Sequence, residues 1–216
     1  KINRRPSPKQ CTNMKVVEIQ PHETHPWLLK KHYAKRIPNI MYAFGLYEHT
    51  ELVGVLTYGM PASPALCKGV CGVEYKDKVL ELNRIVLKDN KKNQASFLVS
   101  RTLKLLPKPR VVVSYADTSK QHVGYVYQAT NFLYTGMTVA RTDVDTGEKH
   151  SRHYHGLDMT KRKDRPQKHR YVTFVGSKTQ KRQLQKKLNY DVLPYAKGDV
   201  GQYDTSANFP TQLAFL

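Results

Sequence analysis

The chain has 216 residues, of which 39% are hydrophobic, and this is enough for one domain with a buried core. Lysine and arginine number 36 against 17 acidic residues, so the formal net charge is +19. A charge of this size exceeds what solubility requires and indicates a polyanionic partner, with nucleic acid first. The alternative is a solvated basic face, as in ribosomal or capsid-associated proteins, and it also implies nucleic acid.

The sequence argues against a membrane-spanning protein and against a secreted one. No apolar run approaches the roughly 20 residues of a membrane span, and the N-terminus lacks a signal-peptide core, so we expect an intracellular protein with no membrane partner. The three cysteines, Cys11, Cys67 and Cys71, form no even disulfide framework. Cys67 and Cys71 without a second pair are a weak metal signal, and we interpret all three as reduced thiols.

The chain divides into three parts by composition. Residues 1–13 predict a basic N-terminal arm, 14–193 a single domain with a basic C-terminal part, and 194–216 an irregular tail. The predicted elements of the first half are a strand over 14–19, a helix opened by Pro26 that reaches Tyr33 and ends by Pro38, a hairpin of 41–47 and 52–58, a loop over 61–72 and a strand over 79–87.

The second half continues the alternation of strands and helices, which predicts an α/β (α+β) fold. A helix over 97–106 is followed by the strand Val111–Val113, a helical pattern over 123–130, a strand over 171–175 and a helix from 178 to 187. Ser114, Tyr115 and Asp117 follow the strand Val111–Val113, where α/β folds place their chemistry. We therefore expect these side chains to face a crevice.

The helix over 97–106 is preceded by a polar loop. Its opening residues are Asn93, Gln94, Ala95 and Ser96. Unpaired backbone N–H groups and the helix dipole point at such a loop, which makes it a candidate anion site.

The order hairpin, strand, loop, helix, strand, helix, strand resembles the GNAT acyltransferase superfamily, whose central mixed twisted sheet is flanked by helices. The resemblance implies that Asn93, Gln94, Ala95 and Ser96 bind the pyrophosphate of acetyl-CoA. The segment Lys91–Ser96 departs from the usual signature, in which a basic residue or Gln and two glycines are expected. Tyr127 matches the superfamily's general-acid tyrosine, with Asn131-Phe132 in place of the usual Gly-Phe.

Five ordered motifs carry a closer resemblance. They are His32-Tyr33-Ala34-Lys35-Arg36, Tyr42-Ala43-Phe44-Gly45-Leu46, Pro61-Ala62-Ser63-Pro64, Glu81-Leu82-Asn83-Arg84, and Ser114-Tyr115-Ala116-Asp117-Thr118 through Asn131-Phe132. In this order they resemble the bacteriophage Mom family. That resemblance implies an enzyme that converts DNA adenine to its methylcarbamoyl form and so blocks host restriction, with acetyl-CoA and iron as cofactors. It further implies double-stranded DNA as partner and the cytoplasm of the infected bacterium as location, and it leaves a homodimer open.

Adenine chemistry is compatible with these residues. The exocyclic amine is a poor nucleophile held inside the duplex, so an enzyme must activate it and extrude the base, which costs a few kcal/mol. A cationic surface and stacking aromatic side chains would offset that cost. The product joins nitrogen to a methyl carbon, and a redox-active metal could generate the reactive carbon species that this bond needs.

The resemblance implies a catalytic set of His32, Tyr33, Ser114, Asp117 and Tyr127, with His32, Tyr33 and Asp117 as candidate iron ligands. Each has a structural alternative. His32 could cap the last carbonyls of its helix, Asp117 could be a helix N-cap, and Tyr127 could be a core aromatic residue whose helical spacing from Asp117 still brings both to one cleft. Glu81 and Arg84 could form a structural ion pair, although strand alternation need not bring them together.

Cationic side chains spread along the chain are candidates for phosphate contacts. The predicted DNA-binding residues are Lys35, Arg36, Arg84, Arg152, Lys161, Arg162, Lys163, Lys168 and Arg170. The histidines around Arg152 are a possible metal cluster, but without a carboxylate or Cys at a recognised spacing we favour a basic segment that contacts DNA. A non-catalytic DNA-binding protein on the same scaffold, or an N-acetyltransferase acting on RNA or protein amines, are the alternative functions.

Overall fold

A seven-stranded mixed sheet forms the centre of the protein, in a computed structural model that describes residues 13–145 and 160–198. The strands are β1 Met14–Glu18, β2 Tyr42–Glu48, β3 Glu51–Gly59, β4 Val79–Leu87, β5 Arg110–Asp117, β6 Leu133–Met137, β7 Arg141–Val144, β8 Arg162–Arg165 and β9 Lys168–Val175. The helices are α1 Pro21–Lys30, α2 Pro64–Cys71, α3 Gln94–Leu105, α4 Tyr125–Ala129 and α5 Lys178–Lys186, with short 3-10 helices at Val73–Lys78 and Thr118–Lys120. The predicted mixed sheet flanked by helices is confirmed, and the element order expected from the GNAT resemblance is present.

The central sheet has the order β1-β2-β3-β4-β5-β9-β6, while β7 and β8 form a separate two-stranded ribbon. Within the described residues β4 and β5 are the one parallel pair, and they are matched only from Val79–Glu81 to Val111–Val113. Beyond those three residues each strand continues without pairing to the other. The sheet therefore opens at its centre, between the carboxyl ends of β4 and β5.

Apolar side chains cover both faces of the sheet. On one face, α3 and α4 pack against residues such as Leu82, Ile85 and Val112. On the other face, α1 packs on β3 and β4, while α2 and α5 pack on Val111, Val113 and Val172. Because side chains alternate along a strand, Ser114 faces α3 and α4, whereas Tyr115 and Asp117 face the side of α1, α2 and α5.

Several predicted boundaries were wrong. Helix α1 begins at Pro21, where the Glu23 carboxylate accepts a hydrogen bond from the Gln20 backbone N–H at 2.7 Å, so Pro26 lies inside the helix and His32 and Tyr33 lie beyond it. The predicted loop over 61–72 contains α2, which Ser63 caps by accepting from the Leu66 N–H.

Strand β5 is longer than predicted and includes Ser114 and Asp117. Strand β9 begins at Lys168, since its polar first residues pair with the end of β5. Helix α4 has only five residues, so no continuous helix joins Asp117 to Tyr127. No helix of residues 13–145 and 160–198 is long and apolar enough to cross a bilayer. Only Asn13 of the predicted arm and 194–198 of the predicted tail are described, so the domain boundaries stay predictions.

Candidate active site

The gap between β4 and β5 is bridged by a side chain. The last matched pair is Glu81 with Val113, and one residue further the Ser114 hydroxyl donates to the Leu82 carbonyl at 2.9 Å. Ser114 is fully buried. Its hydroxyl thus takes the place of a ladder hydrogen bond where the strands separate, and it anchors the inner end of the opening.

Tyr127 approaches Ser114 from α4. Gly124 allows this approach, since its φ is 79° and a Cβ there would lie 2.5 Å from the Tyr171 ring. The Tyr127 ring packs 5.4 Å from Phe132 and 5.3 Å from Tyr171, and its hydroxyl hydrogen-bonds with Ser114. Burial raises the pKa of Tyr127 well above its ordinary value, and the Ser114 hydrogen bond opposes this only in part. Tyr127 is therefore a core aromatic residue that also carries a protonated hydroxyl in the site.

His32 and Tyr33 reach the site from the segment after α1. Their rings stack with centroids 4.7 Å apart, and His32 is fully buried. Burial, together with Arg84 and Arg36, lowers the pKa of His32 to about 3, so the ring is neutral at pH 7. His32 Nδ1 accepts a hydrogen bond from the Ala34 N–H at 3.0 Å, which places the ring proton on Nε2.

The interpretation of His32 as a helix cap was wrong. The backbone N–H groups of Lys31 and His32, and not the imidazole, bond the Trp27 carbonyl. His32 Nε2 is buried and has no partner among the described residues. The ring consequently offers an unused N–H donor within the site.

Two guanidinium groups, those of Arg84 and Arg36, act electrostatically on the His32 ring. A register shift opposite Thr57 and Tyr58 leaves Asn83 as an extra residue in β4, and the shift turns Arg84 to the same face of the sheet as Glu81. Burial and the nearby Arg36 lower the pKa of Arg84, yet a guanidinium stays charged near neutral pH. Arg84 therefore lies inside the site, whereas Arg36 is exposed at its edge.

Asp117 ends β5 and is held by several donors. Its Oδ1 accepts from the Ser119 N–H at 3.0 Å and from the Ser119 hydroxyl at 2.7 Å, while Oδ2 lies 3.1 Å from Lys168 Nζ. Burial alone would raise the pKa of Asp117, but Ser119 and Lys168 outweigh it and hold the pKa below its ordinary value. The N-cap interpretation is confirmed for the short helix Thr118–Lys120, and Lys168 is an ion-pair partner within the site.

Sequence reasoning missed His122, which is buried next to Asp117. Neither of its ring nitrogens has a partner among the described residues. Burial lowers its pKa to about 4, with Asp117 opposing and Lys120 assisting the shift. His122 follows the Ser114–Thr118 motif by four residues in a polar stretch, and this was the one signal in the sequence that could have indicated it.

The predicted coenzyme loop follows β4 on the side where the sheet opens. Asn93 precedes α3 in the left-handed region with a φ of 65°, and Gln94 and Ala95 are buried. The Gln94 N–H donates to the Lys91 carbonyl, and Gln94 Oε1 is buried with no partner among the described residues. The Ser96 hydroxyl turns back to the Asn93 carbonyl at 3.2 Å.

The predicted DNA-binding residues fall into separate groups. Lys35 is exposed, and Lys161, Arg162 and Lys163 lie on or next to the exposed ribbon of β7 and β8. Arg170 has a structural role, since it donates to Thr135 and its guanidinium lies 3.4 Å from the Tyr190 ring centroid. Arg152 and the surrounding histidines lie outside the described residues.

The proposed iron ligands do not fit a metal site in this arrangement. Asp117 already accepts three donors, and His32 directs its lone pair at the Ala34 N–H. Burial and Asp117 raise the pKa of Tyr33, which disfavours the phenolate that would bind iron. Across 13–145 and 160–198, no three His, Cys, Asp or Glu side chains are grouped for a metal ion.

Comparison with known proteins gives both sequence and structural similarity. The family model of the Mom protein family matches residues 13–197. Methylcarbamoylase mom of Escherichia phage Mu is 31% identical over 191 residues, which cover 77% of each chain.

Similar solved structures are acetyltransferases. The Salmonella typhimurium protein yncA, a putative acetyltransferase with its cofactor acetyl-CoA, is 9% identical with a TM-score of 0.48, covering 77% of this chain and 96% of that one. A GNAT-family acetyltransferase from Bacillus cereus is 15% identical with a TM-score of 0.43, covering 74% and 96%. Superposition at this level supports no inference about activity. The family model spans most of the chain and the phage Mu relative exceeds 30% identity, so this chain belongs to the Mom protein family.

Proposed function

We propose that this protein is a transferase that converts adenine in double-stranded DNA to its N6-methylcarbamoyl form. Acetyl-CoA is the proposed source of the two-carbon unit. Bonding its methyl carbon to N6 removes two electrons, so the reaction also takes an external oxidant, and an amine nitrogen displaces CoA to form the amide. The product protects phage DNA from restriction in the cytoplasm of the infected cell. The observation that supports the proposal is the opening between β4 and β5, with Ser114 and Tyr127 on one side of the sheet and His32, Arg84 and Asp117 on the other. These residues come from three of the five ordered motifs, in a chain that belongs to the Mom family.

A buried polar site argues for chemistry over passive DNA binding. Placing His32, Arg84 and Asp117 inside the protein reduces stability, since polar groups lose hydration and two of the three keep an unpartnered nitrogen among the described residues. A protein that only gripped phosphates would gain nothing from this arrangement, because phosphate contacts are made by exposed cations. An enzyme uses such groups on its substrate.

The residues can be given roles at stated atoms. Tyr127 keeps its proton at neutral pH and suits a general acid, which is the role of the corresponding tyrosine in the GNAT resemblance. His32 Nε2 donates a hydrogen bond, and Arg84 supplies positive charge for an anionic or carbonyl oxygen.

The start of α3, from Asn93 to Ser96, is the proposed pyrophosphate site. The family resemblance implies iron, but His32 and Asp117 are engaged by other groups and Tyr33 keeps its proton, so these three residues are not assigned to a metal.

Double-stranded DNA is the proposed partner, and the β7–β8 ribbon is the proposed contact. A two-stranded ribbon has the width to enter the major groove. Two of its cations form ion pairs, with Lys163 Nζ 3.1 Å from Asp145 Oδ1 and Arg165 Nη1 3.4 Å from Asp143 Oδ2. Helix α5 adds Lys178, Lys181, Arg182 and Lys186 without an acidic residue. A homodimer stays a prediction.

Restriction of purified DNA tests the proposal. Plasmid from cells that express the protein is stripped of protein and digested with enzymes whose sites contain adenine, and in parallel with enzymes whose sites contain only G and C. We expect resistance at adenine-containing sites and normal cutting at the G and C sites. Normal cutting at all sites, with the protein expressed and folded, would contradict the proposed activity. It would leave the passive DNA-binding alternative.

A further inference from the structure

Glu81 carries a carboxylate at the opening of the sheet, and none of the roles proposed for the site involves it. It is the last residue of β4 that is matched with β5, and it is only partly exposed. Among the described residues it accepts no hydrogen bond and forms no ion pair within 4.0 Å. The ion pair with Arg84 that the sequence suggested is not made, because Arg84 Nη1 donates to the Asn83 carbonyl at 2.5 Å.

Positive charge surrounds Glu81 from several elements. Arg84 on β4, Lys168 on β9, Arg36 after α1 and Arg165 on β8 all act on it at longer range. The charge of Glu81 also contributes to raising the pKa of Tyr115 and of Tyr127. Burial raises the pKa of Glu81 above its ordinary value, and these cations oppose the shift only in part. The result is an acceptor held beside the catalytic set with its hydrogen-bonding capacity unspent.

A carboxylate in this position suits one feature of the proposed substrate. The exocyclic amine distinguishes adenine from purine by two N–H donors, and a carboxylate accepts such donors strongly. A site built to hydrogen-bond a substrate N–H discriminates against the analogue that lacks it, because the buried acceptor is then left without a partner. Tyr33, which stacks on the buried His32 ring and is itself partly exposed, provides an aromatic surface for an extruded base.

We propose that the Glu81 carboxylate accepts a hydrogen bond from the exocyclic amine of the extruded adenine and so selects and orients the target base. This inference rests on the proposed function, since it takes adenine as the substrate. It concerns binding alone. Glu81 is thereby a specificity-determining residue that no motif of the GNAT resemblance marks.

The test compares two duplexes that differ only in the exocyclic amine. Each carries one unpaired base opposite an abasic site, adenine in the first and purine in the second, and binding to the purified full-length protein is measured by fluorescence anisotropy. Both duplexes present the same phosphates, so changes in overall charge cancel in the ratio of the two Kd values. For the wild type we expect tighter binding of adenine by about tenfold or more.

Three variants complete the test. Glu81→Met keeps the length of the side chain and should bring the ratio close to one, whereas Glu81→Gln keeps an acceptor oxygen and should retain part of it. Glu74→Met is the matched control, because it removes an exposed carboxylate on the short 3-10 helix and should leave the ratio unchanged. Circular dichroism verifies folding, and a partial fall for Glu81→Gln would support the proposal even if Glu81→Met were unfolded.

Two results would overturn the inference. One is a wild-type ratio near one, and the other is a full ratio retained by folded Glu81→Met. Neither depends on turnover. A normal ratio in a protein that modifies no DNA would refute the proposed activity alone, and modification without discrimination would refute the role of Glu81 alone.

Discussion

Replacing Asp117 by Asn separates the structural and chemical roles of this residue. Asn keeps a side-chain oxygen for the Ser119 N–H, so the cap of the short helix survives. The ion pair with Lys168, 3.1 Å in length, is lost. Hydrogen bonds to charged groups contribute about 1.5–3 kcal/mol, and the 30% exposure of Lys168 places this one at the low end. We expect a loss of about 1–2 kcal/mol and a Tm lower by roughly 2–8 °C.

The pH dependence gives this prediction its sign. The folded pKa of Asp117 is depressed, so its stabilisation is fully present above the ordinary value of 3.8 and is lost as pH falls through the folded pKa. Thermal denaturation should therefore show a constant difference between wild type and Asp117→Asn above about pH 5. The difference should shrink in more acidic buffer.

A surface carboxylate supplies the control. Asp143 pairs with Arg165 at 3.4 Å on the exposed ribbon, and Asp143→Asn should reduce stability by less than about 1 kcal/mol. If Asp117→Asn were no more destabilising than Asp143→Asn, the buried ion pair would not matter as argued. In the same preparations we expect Asp117→Asn to bind DNA and to lose modification. Normal modification would assign Asp117 to the structural role alone.

Further predictions concern the acid, the ribbon and the segment beside β3. Tyr127→Phe removes one hydroxyl and should leave folding and DNA affinity intact while abolishing modification; unchanged modification would rule out Tyr127 as the acid. Alanine at the ribbon cations Lys161, Arg162 and Lys163 should weaken the binding of all DNA sequences alike and flatten the salt dependence of binding. An unchanged salt slope would mean that these charges serve solubility. Gly59→Ala would place a Cβ 1.9 Å from the Asn39 carbonyl oxygen and should cost about 1–3 kcal/mol in denaturant unfolding. Gly69→Ala lies inside α2 with its nearest contact at 3.7 Å and should instead stabilise the protein by up to about 1 kcal/mol.

Strong local patterns made much of the fold predictable. Strand β4 was predicted correctly because a mainly apolar run of nine residues between polar segments is typical of a buried strand. The β2–β3 hairpin was predicted from the short polar turn between its strands. Helix α2 was missed since Pro, Ser and Gly in 61–72 suggested a loop. Ser63 as N-cap, Pro64 at the first position and Cys67, Val70 and Cys71 on one side were the signals that could have found it.

The site itself required tertiary information. Tyr127 and Asp117 were predicted to meet through helical spacing, but they are linked through a short helix, a turn and the five-residue α4. Arg84 was predicted on the DNA surface, because nothing in the sequence shows the extra residue at Asn83 that turns it inward. The register of β4 against β5, which leaves Glu81 and Ser114 at the opening, depends on contacts between distant parts of the chain.

The central claim is that this site modifies adenine in DNA. The most direct measurement is mass spectrometry of nucleosides from the DNA of cells that express the wild-type protein, with cells expressing Tyr127→Phe as the matched control. We predict a modified deoxyadenosine with the mass of the methylcarbamoyl form in the first sample and its absence in the second. Finding only the four ordinary nucleosides and host methylation, with the wild-type protein folded and expressed, would contradict the account.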